Sequence, residues 1–339
     1  MKIFYFLKTF FTIFFLIFIS CDNKKNIQIE KDGMIFIRGG KFLMGGDNDE
    51  ARSDEYPKHS VEVSSFWMDE TEVTNAQFRI FVNETGYVTT AERKINWDEV
   101  KSAVPPGTPK PHDSLLAPAS LVFNEYDTKN LNDYSKWWSL VRYANWKQPF
   151  GPESDIEGKD SHPVVHVSWE DALAYCEWSG KRLPTEAEYE YASRGGKKNN
   201  IYSWGNTKVV GDKIQANSWN GSFPSTNTTL DKFYYSSPVK SFSPNGYGLY
   251  DIAGNVWEWC SDWYHSEYYS MLPKNGSINP KGPKSSYDPM EPFSEKKVIR
   301  GGSFLCNDSY CSGYRNSARM KTTPDSSSLH TGFRTVVSE

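Results

Sequence analysis

The sequence predicts an α+β fold with little regular secondary structure, and three observations point to it. Aromatic residues make up 15% of the 339 positions and are rich in Trp and Tyr, helix signals concentrate in three capped segments, and the C-terminal half is dense in Gly, Pro, Asn and Ser. Trp and Tyr pair a large apolar area with a polar handle, so indole and phenol hydrogen bonds can knit together a loop-heavy core. The net charge of -4 offers no basic field for nucleic acid. Residues 33–339 suffice for a buried core, as one large domain or two.

The N-terminus reads as an export signal. Lys2 and Lys8 accompany an apolar run, Phe10 to Ile19, that stops at Ser20-Cys21 and is too short to span a bilayer. A small residue directly before Cys21, preceded by Phe18 and Ile19, resembles a bacterial lipobox. The expected organisation is a signal over 1–20, a lipidated Cys21 with a polar tether over 21–32, and one domain over 33–339. Such a protein is an exported bacterial lipoprotein, held at the periplasmic or outer-membrane face; an ordinary signal peptide with a chance cysteine is the alternative.

Regular elements follow in order. Met34–Ile37 alternates as a short strand and runs into a turn at Arg38-Gly-Gly40, and a second strand-like stretch covers Val61 to Met68. Capping boxes open three helices: Thr74 to Gln77, closing at Gly86; Ser168 to Asp171, closing at Gly180; and Thr185 to Glu188, closing near Gly195. The segment from about Lys94 to Pro163 reads as a long ordered loop inserted between the first two helices. Beyond Gly195 helix signals nearly vanish, and no internal repeat is present.

The candidate chemistry lies in the cysteines. Cys306 and Cys311 stand five positions apart in a chain with five cysteines, and such a pair can carry a soft metal, a disulfide or redox chemistry. Spacing alone favours the disulfide. Cys176 falls on the apolar side of a predicted helix and reads as a packed core thiol, and Cys260 has no evident partner. The six histidines show no metal-binding spacing, and His162 and His166 flank Pro163, so both read as structural.

A set of motifs then carries a resemblance: Glu72-Val-Thr-Asn75, Gly86-Tyr-Val88, Ala144-Asn-Trp146, His162 to Trp169, Gly180 to Glu188, Asn245 to Tyr250, Gly254 to Trp259, Arg300-Gly-Gly-Ser303 and Gly332-Phe-Arg334. In this order they resemble the formylglycine-generating enzymes, the sulfatase-modifying factors, over nearly all of the chain beyond the signal. The resemblance implies that family's irregular fold, a variant of the C-type-lectin type. Its Arg-Gly-Gly-Ser-x-x-Cys-x-x-x-x-Cys element, followed by Tyr-Arg, binds one copper(I), and Cys306, Cys311 and Tyr314-Arg315 fall on it. Copper(I) favours thiolates, and two sulfurs leave room for a third from substrate. The implied reaction is O2-dependent oxidation of the cysteine in a Cys-x-Pro-x-Arg segment of an unfolded sulfatase precursor to Cα-formylglycine. Ser303 and Trp257 match pocket positions, and adjacent Tyr310 can add a phenol. The family's vertebrate disulfides cannot form, because three of the four positions, Thr335, Ala192 and Asn316, lack cysteine.

The same resemblance implies two structural Ca2+ sites, one at Asn217, Ser218, Asp231 and Phe233, the other at Asp251, Gly254, Val256 and Glu258. Oxygen-only ligation from irregular backbone suits a hard cation, whereas a polar turn network without metal is the alternative. Asp251 stands where the family more often has Asn, and His330-Thr331 where it more often has Asn-Leu near the peptide groove. Relatives without the activity share the scaffold, so a non-enzymatic, gliding-motility-like lipoprotein is the rival reading. A sulfoxide synthase with non-haem iron would need a further helical domain carrying histidines, which the sequence lacks.

Overall fold

A computed structural model describes residues 31–101, 104–126, 128, 130–131, 133–208 and 214–339. The expected signal and lipidation site, residues 1–20 and Cys21, lie outside the described residues. Among the described residues no helix is long and apolar enough to cross a membrane.

The three helices form where their caps place them. In α1, Asn75–Thr85, the Gln77 N–H donates to Thr74 Oγ1 at 3.3 Å while Gln77 Oε1 accepts from the Thr74 N–H at 2.9 Å, and Gly86 closes the helix at φ 68°. In α2, Trp169–Ser179, Ser168 and Asp171 form the same box and Gly180 ends it at φ 70°. In α3, Glu186–Ser193, the partners are Thr185 and Glu188. Phe78 and Phe81 of α1 pack against Tyr175 of α2 and hold the two helices together.

Strands exceed the sequence expectation. β1, Met34–Ile37, is as read, but the predicted turn ends immediately in β2, Gly40–Met44. The stretch read as one strand divides into β3, His59–Val63, and β4, Phe66–Asp69, which serve different sheets. The inserted segment is not merely a loop: β5, Ala119–Phe123, and β6, Trp138–Arg142, form an antiparallel hairpin inside it. Its long connection hid the pairing, because no two-residue turn marks it.

The C-terminal half adds β7, Trp257–Trp263, β8, Ser277–Ile278, β9, Lys297–Arg300, β10, Met320–Thr322, β11, Thr331–Gly332, and β12, Val336–Ser338. One sheet runs β1-β4-β12, a second β8-β3-β2 and a third β10-β9-β7-β11. β7 is central, antiparallel to β9 and parallel to β11, and is buried nearly throughout. The C-terminal strand β12 joins the first sheet, where its Val336 registers with Met68 of β4. Few regular elements, joined by long irregular segments, make this the α+β architecture expected.

The core is both aromatic and ionic, and the ionic half was not foreseen. Glu186 and Glu190 lie one turn apart on α3 and face inward. Glu186 takes Arg300 at 3.0 Å and Arg319 at 2.6 Å, while Glu190 takes Arg300 at 2.7 Å and Arg194 at 2.6 Å. Glu258 of β7 pairs with Arg334 at 2.6 Å, and Glu55 with Arg315 at 2.6 Å. All these groups are buried. Burial pushes the Glu190 carboxyl up, but Arg194 and Arg300 outweigh it and hold the group below its ordinary range. Removing one member of a buried pair strands its partner's charge at a cost of about 3–5 kcal/mol. Glu186→Gln, which leaves two guanidiniums short of a counter-charge, is expected to lower unfolding stability by about that amount in urea titration.

Candidate active site

The cysteine pair rides on a loop whose two ends are fixed by arginines. β9 ends at Arg300, and Gly301 and Gly302 then turn the chain at φ 89° and 80°. Added side-chain atoms on Gly302 would meet the backbone of Gly313 and Tyr314, so glycine lets the two limbs of the loop touch. Arg300 donates to the carbonyls of Asn316 at 2.6 Å and Ser317 at 3.4 Å and so closes the loop at its base. Arg315 is held from below by Glu55.

Within the loop, the Cys306 N–H donates to the Ser303 carbonyl at 2.9 Å, and the Ser303 N–H donates to Cys306 Sγ at 3.4 Å. The Cys311 N–H donates to the Asn307 carbonyl at 3.0 Å, and Asn307 is tied by its side chain to the Trp219 carbonyl at 3.1 Å. Arg52, far away in sequence, donates to the Cys311 carbonyl. The two sulfurs are bonded as a disulfide, with Cα atoms 5.4 Å apart. The bridge that spacing favoured is therefore the form seen, and both residues are buried.

The pair forms one wall of a cleft of about 190 Å³. Ser303, Trp257 and Tyr310 line it with Cys306 and Cys311, so the five predicted catalytic residues converge. Gly313 lies so close beneath the Trp257 ring and Cys306 Sγ that no Cβ fits. Tyr310 stacks on Phe223 at 4.6 Å, and burial raises its phenol pKa. Larger grooves of about 360 and 810 Å³ lie around Lys41 and Arg182, but neither contains a cysteine.

Several wall residues escaped sequence reading. Trp138 and Leu121 come from the inserted hairpin, Phe223 from a loop, and Met320 to Thr322 from β10. His330, noted only as a departure from the family, stands in the wall. Its Nδ1 lies 3.3 Å from Ser303 Oγ and its ring is edge-on to Trp138 at 4.8 Å. Burial, reinforced by His166, pushes its pKa well below the ordinary histidine value, so the ring is neutral. His166 is fully buried between Ser120 Oγ at 2.6 Å and the Pro149 carbonyl at 2.9 Å, in the structural role expected of it. His162 is half-buried, with Nδ1 3.3 Å from Ser236 Oγ.

The two other predicted sites hold buried carboxylates, Asp231 in one and Asp251 with Glu258 in the other. Asp231 accepts N–H bonds from Ser218 at 3.1 Å and Phe233 at 3.0 Å, and burial raises its pKa. Asn217 Oδ1, buried nearby in sequence, has no hydrogen-bond partner. Asp251 accepts from the Lys240 N–H at 2.7 Å, and burial, aided by Glu258, raises it to about 6. Glu258 itself is committed to Arg334, at 2.6 and 2.9 Å through its two oxygens. Glu72, not singled out from sequence as a ligand, is fully buried and raised by burial, then by Asp251 and Glu258; its Oε2 accepts no hydrogen bond and faces the Arg334 guanidinium at 3.9 Å. Among the described residues no three His, Cys, Asp or Glu side chains converge as a ready metal-binding group.

A model of the sulfatase-modifying factor enzyme 1-like domain matches residues 20–339. The chain belongs to that family. A formylglycine-generating enzyme of Thermomonospora curvata is 45% identical over 305 residues, covering 89% of this chain and 92% of its own. Another sulfatase-modifying-factor relative, an inactive Cα-formylglycine-generating enzyme 2 of Mus musculus, is 37% identical, covering 93% and 89%. Among solved structures, PvdO from Pseudomonas aeruginosa shares the fold at TM-score 0.60 and 22% identity, over 90% of this chain and 94% of that one.

The other two cysteines among the described residues are inert by environment. Cys176 packs under α2 and Cys260 in β7, in separate clusters and unbonded, so they are not partners. Burial first, then Asp69 and Asp262 respectively, pushes both thiols far above the ordinary range. After mild reduction of the native protein, alkylation with mass mapping is expected to label Cys306 and Cys311 and to spare Cys176 and Cys260 until the chain is unfolded.

Proposed function

We propose that this protein is a copper-dependent, formylglycine-generating oxidase that uses O2 to convert the cysteine of a Cys-x-Pro-x-Arg segment in a sulfatase precursor. The observation that carries this reading is the convergence of Cys306, Cys311, Ser303, Trp257 and Tyr310 on one cleft. Once reduced, the pair offers two soft donors on a braced loop beside open space, a donor set that fits copper(I) with a place for a third thiolate. Bound copper would supply a thiophilic, redox-active centre for the substrate thiol and dioxygen.

The chain's own groups do the rest. Gly313 leaves room for the Trp257 ring and the Cys306 sulfur, since a side chain there would collide with both. Ser303, with its hydroxyl beside His330, places a polar group at the cleft wall where an incoming thiol can be oriented. Neutral His330 keeps positive charge off that wall. Trp138, Phe223 and Tyr310 keep the space apolar and exclude bulk water around the reacting cysteine.

For calcium, the unpaired Asn217 Oδ1 and the raised Asp231 carboxyl fit a hard cation. At the second position Asp251 and Glu258, the latter held by Arg334, are joined by buried Glu72, whose Oε2 accepts no hydrogen bond. Carbonyls of Ser218, Phe233, Gly254 and Val256 would complete the two sets. In the cell, export with lipidation at Cys21 would hold the domain at a membrane surface.

A non-enzymatic scaffold of the same fold is the competing reading, favoured by the bonded form of the pair and by the existence of an inactive relative. Reduced, copper(I)-loaded protein is expected to turn a Cys-x-Pro-x-Arg peptide into an aldehyde, read by hydrazine labelling and mass spectrometry. Cys306→Ser and Cys311→Ser are expected to abolish that product with the thermal midpoint retained. An inert wild type with copper demonstrably bound would leave only the scaffold. Exhaustive chelation is expected to release calcium, measured by elemental analysis, and to lower the thermal midpoint by about 5–10 °C if each site is near a hundredfold saturated.

A further inference from the structure

Away from the cysteine cleft, two hollows run into each other along β2 and the end of α3. One, of about 360 Å³, has Lys41, Phe42, Tyr191, Lys197, Lys198 and Tyr247 in its lining. The other, of about 390 Å³, has Asp47, Lys58, Asn200 and Asn206. Arg194 and Asn199 line both, so the two make one continuous groove, and neither shares a lining residue with the cleft. What this groove binds is therefore independent of the oxidase reading.

The first half presents aromatic rings. Tyr191 lies 5.2 Å from Phe42 and 6.0 Å from Tyr247, centre to centre, and all three are partly exposed. Glycines make room for two of them: a Cβ on Gly40 would meet the Tyr191 hydroxyl at 2.9 Å, and one on Gly196, at φ 74°, would meet the Tyr247 ring at 3.3 Å. The Tyr191 hydroxyl donates to the Arg38 carbonyl at 3.0 Å, which fixes that ring before any ligand arrives. Two ammoniums share this hollow without a counter-charge. Lys197 Nζ donates to the Trp204 carbonyl at 3.0 Å, and among the described residues neither Lys197 nor Lys198 has a carboxylate in ion-pair reach. Lys41 and Lys58, by contrast, pair with Glu62 at 3.4 Å and Asp47 at 2.8 Å.

The second half offers polar atoms of both kinds. Asn200 is only 5% exposed; its Nδ2 donates to the carbonyls of Tyr202 at 2.6 Å and Arg194 at 3.3 Å, while its Oδ1 accepts nothing. Exposed Asn199 and Asn206 use their Oδ1 atoms to accept from Lys58 Nζ at 3.1 Å and the Ile201 N–H at 2.8 Å, and among the described residues their amide N–H groups have no acceptor. At the junction Arg194 is pinned by Glu190 and by the carbonyls of Gly45 and Asn200, so the groove is formed in advance. A buried acceptor left without a donor is costly, and a ligand hydroxyl supplies the donor. A sugar answers all three features at once: its C–H face covers an aromatic ring, its hydroxyls both donate and accept, and a sulfate or carboxylate on it meets an ammonium.

We propose that this groove binds an anionic oligosaccharide. Pyranose faces lie on Tyr191 and Tyr247, the sulfate or uronate group sits at Lys197 and Lys198, and hydroxyls fill the amide-lined hollow with one donating to Asn200 Oδ1.

The test is calorimetric titration of the full-length protein with three tetrasaccharides: unsulfated chondroitin, which carries uronates only, its sulfated form, and neutral cellotetraose. Both chondroitins are expected to bind about tenfold tighter than cellotetraose or better, with affinity falling as salt rises. Tighter binding of the sulfated form would name sulfate as the anion and equal binding would name the uronate, each in support of the site. Lys198→Glu, at an exposed position, is expected to weaken both chondroitins by about tenfold or more with circular dichroism unchanged. Tyr247→Ala is expected to abolish saturation transfer from protein to sugar ring protons in NMR, whereas Cys306→Ser is expected to bind as the parent does. Absence of chondroitin binding at millimolar concentration, cellotetraose binding as tightly as the chondroitins, or parental affinity in both Lys198→Glu and Tyr247→Ala would overturn the proposal. Sugar binding is read without copper or peptide, so it can fail while aldehyde formation succeeds, and the reverse.

Discussion

The structure depends on one buried side chain, Arg300. Its guanidinium joins Glu186 and Glu190 on α3 to the carbonyls of Asn316 and Ser317, which lie beyond the far end of the cysteine loop. A planar, always-charged fork with several donors can satisfy two carboxylates and two carbonyls at once, which an ammonium cannot. The loop is thereby closed at its base, and the entropy of fixing an irregular segment is met by charge-assisted bonds rather than by a helix or a strand. Glu55 with Arg315 repeats the device at the loop's C-terminal limb.

This arrangement explains how a protein with so little regular structure holds a defined cleft. Buried ion pairs add little net stability over well-packed apolar groups, because desolvation opposes their attraction. Their directionality is what matters, since each pairing accepts only one position for its partner. The aromatic core gives bulk and apolar burial, and the guanidinium network gives register. The same principle holds at β7, where Glu258 locks onto Arg334 and thereby joins the central strand to the C-terminal segment.

The cleft joins separate parts of the chain. The cysteine loop forms one wall, the hairpin β5-β6 another, and β10 with His330 completes it. The hairpin is held against this wall by backbone: the Leu121 N–H donates to Ser327 at 3.2 Å and the Leu329 N–H donates back to Leu121 at 2.9 Å. An insertion that could have been a surface ornament thus becomes part of the site. The mouse relative without activity shows that this fold does not by itself guarantee chemistry, so the cysteine pair and its surroundings carry the functional argument.

By itself the sequence determined the three helices, because capping boxes and terminal glycines are local and complete within four to six residues. The family resemblance pointed to Ser303 and Trp257 beside the cysteine pair, with Tyr310 adjacent, and the structure puts all five on one cleft. The sequence also identified His166 and Cys176 as structural, as their enclosure bears out. Only tertiary structure decided that Val61 to Met68 would split between two sheets, that the insertion would fold as a hairpin, and that Trp138, Phe223, Met320 and His330 would meet the cysteines. Only it revealed an ionic core, because Glu186 with Arg319 and Glu55 with Arg315 are 133 and 260 positions apart. Patterns of alternation and capping report neighbours along the chain. A charge buried against a distant partner leaves no such periodic trace, and its meaning exists only once the chain has closed around it.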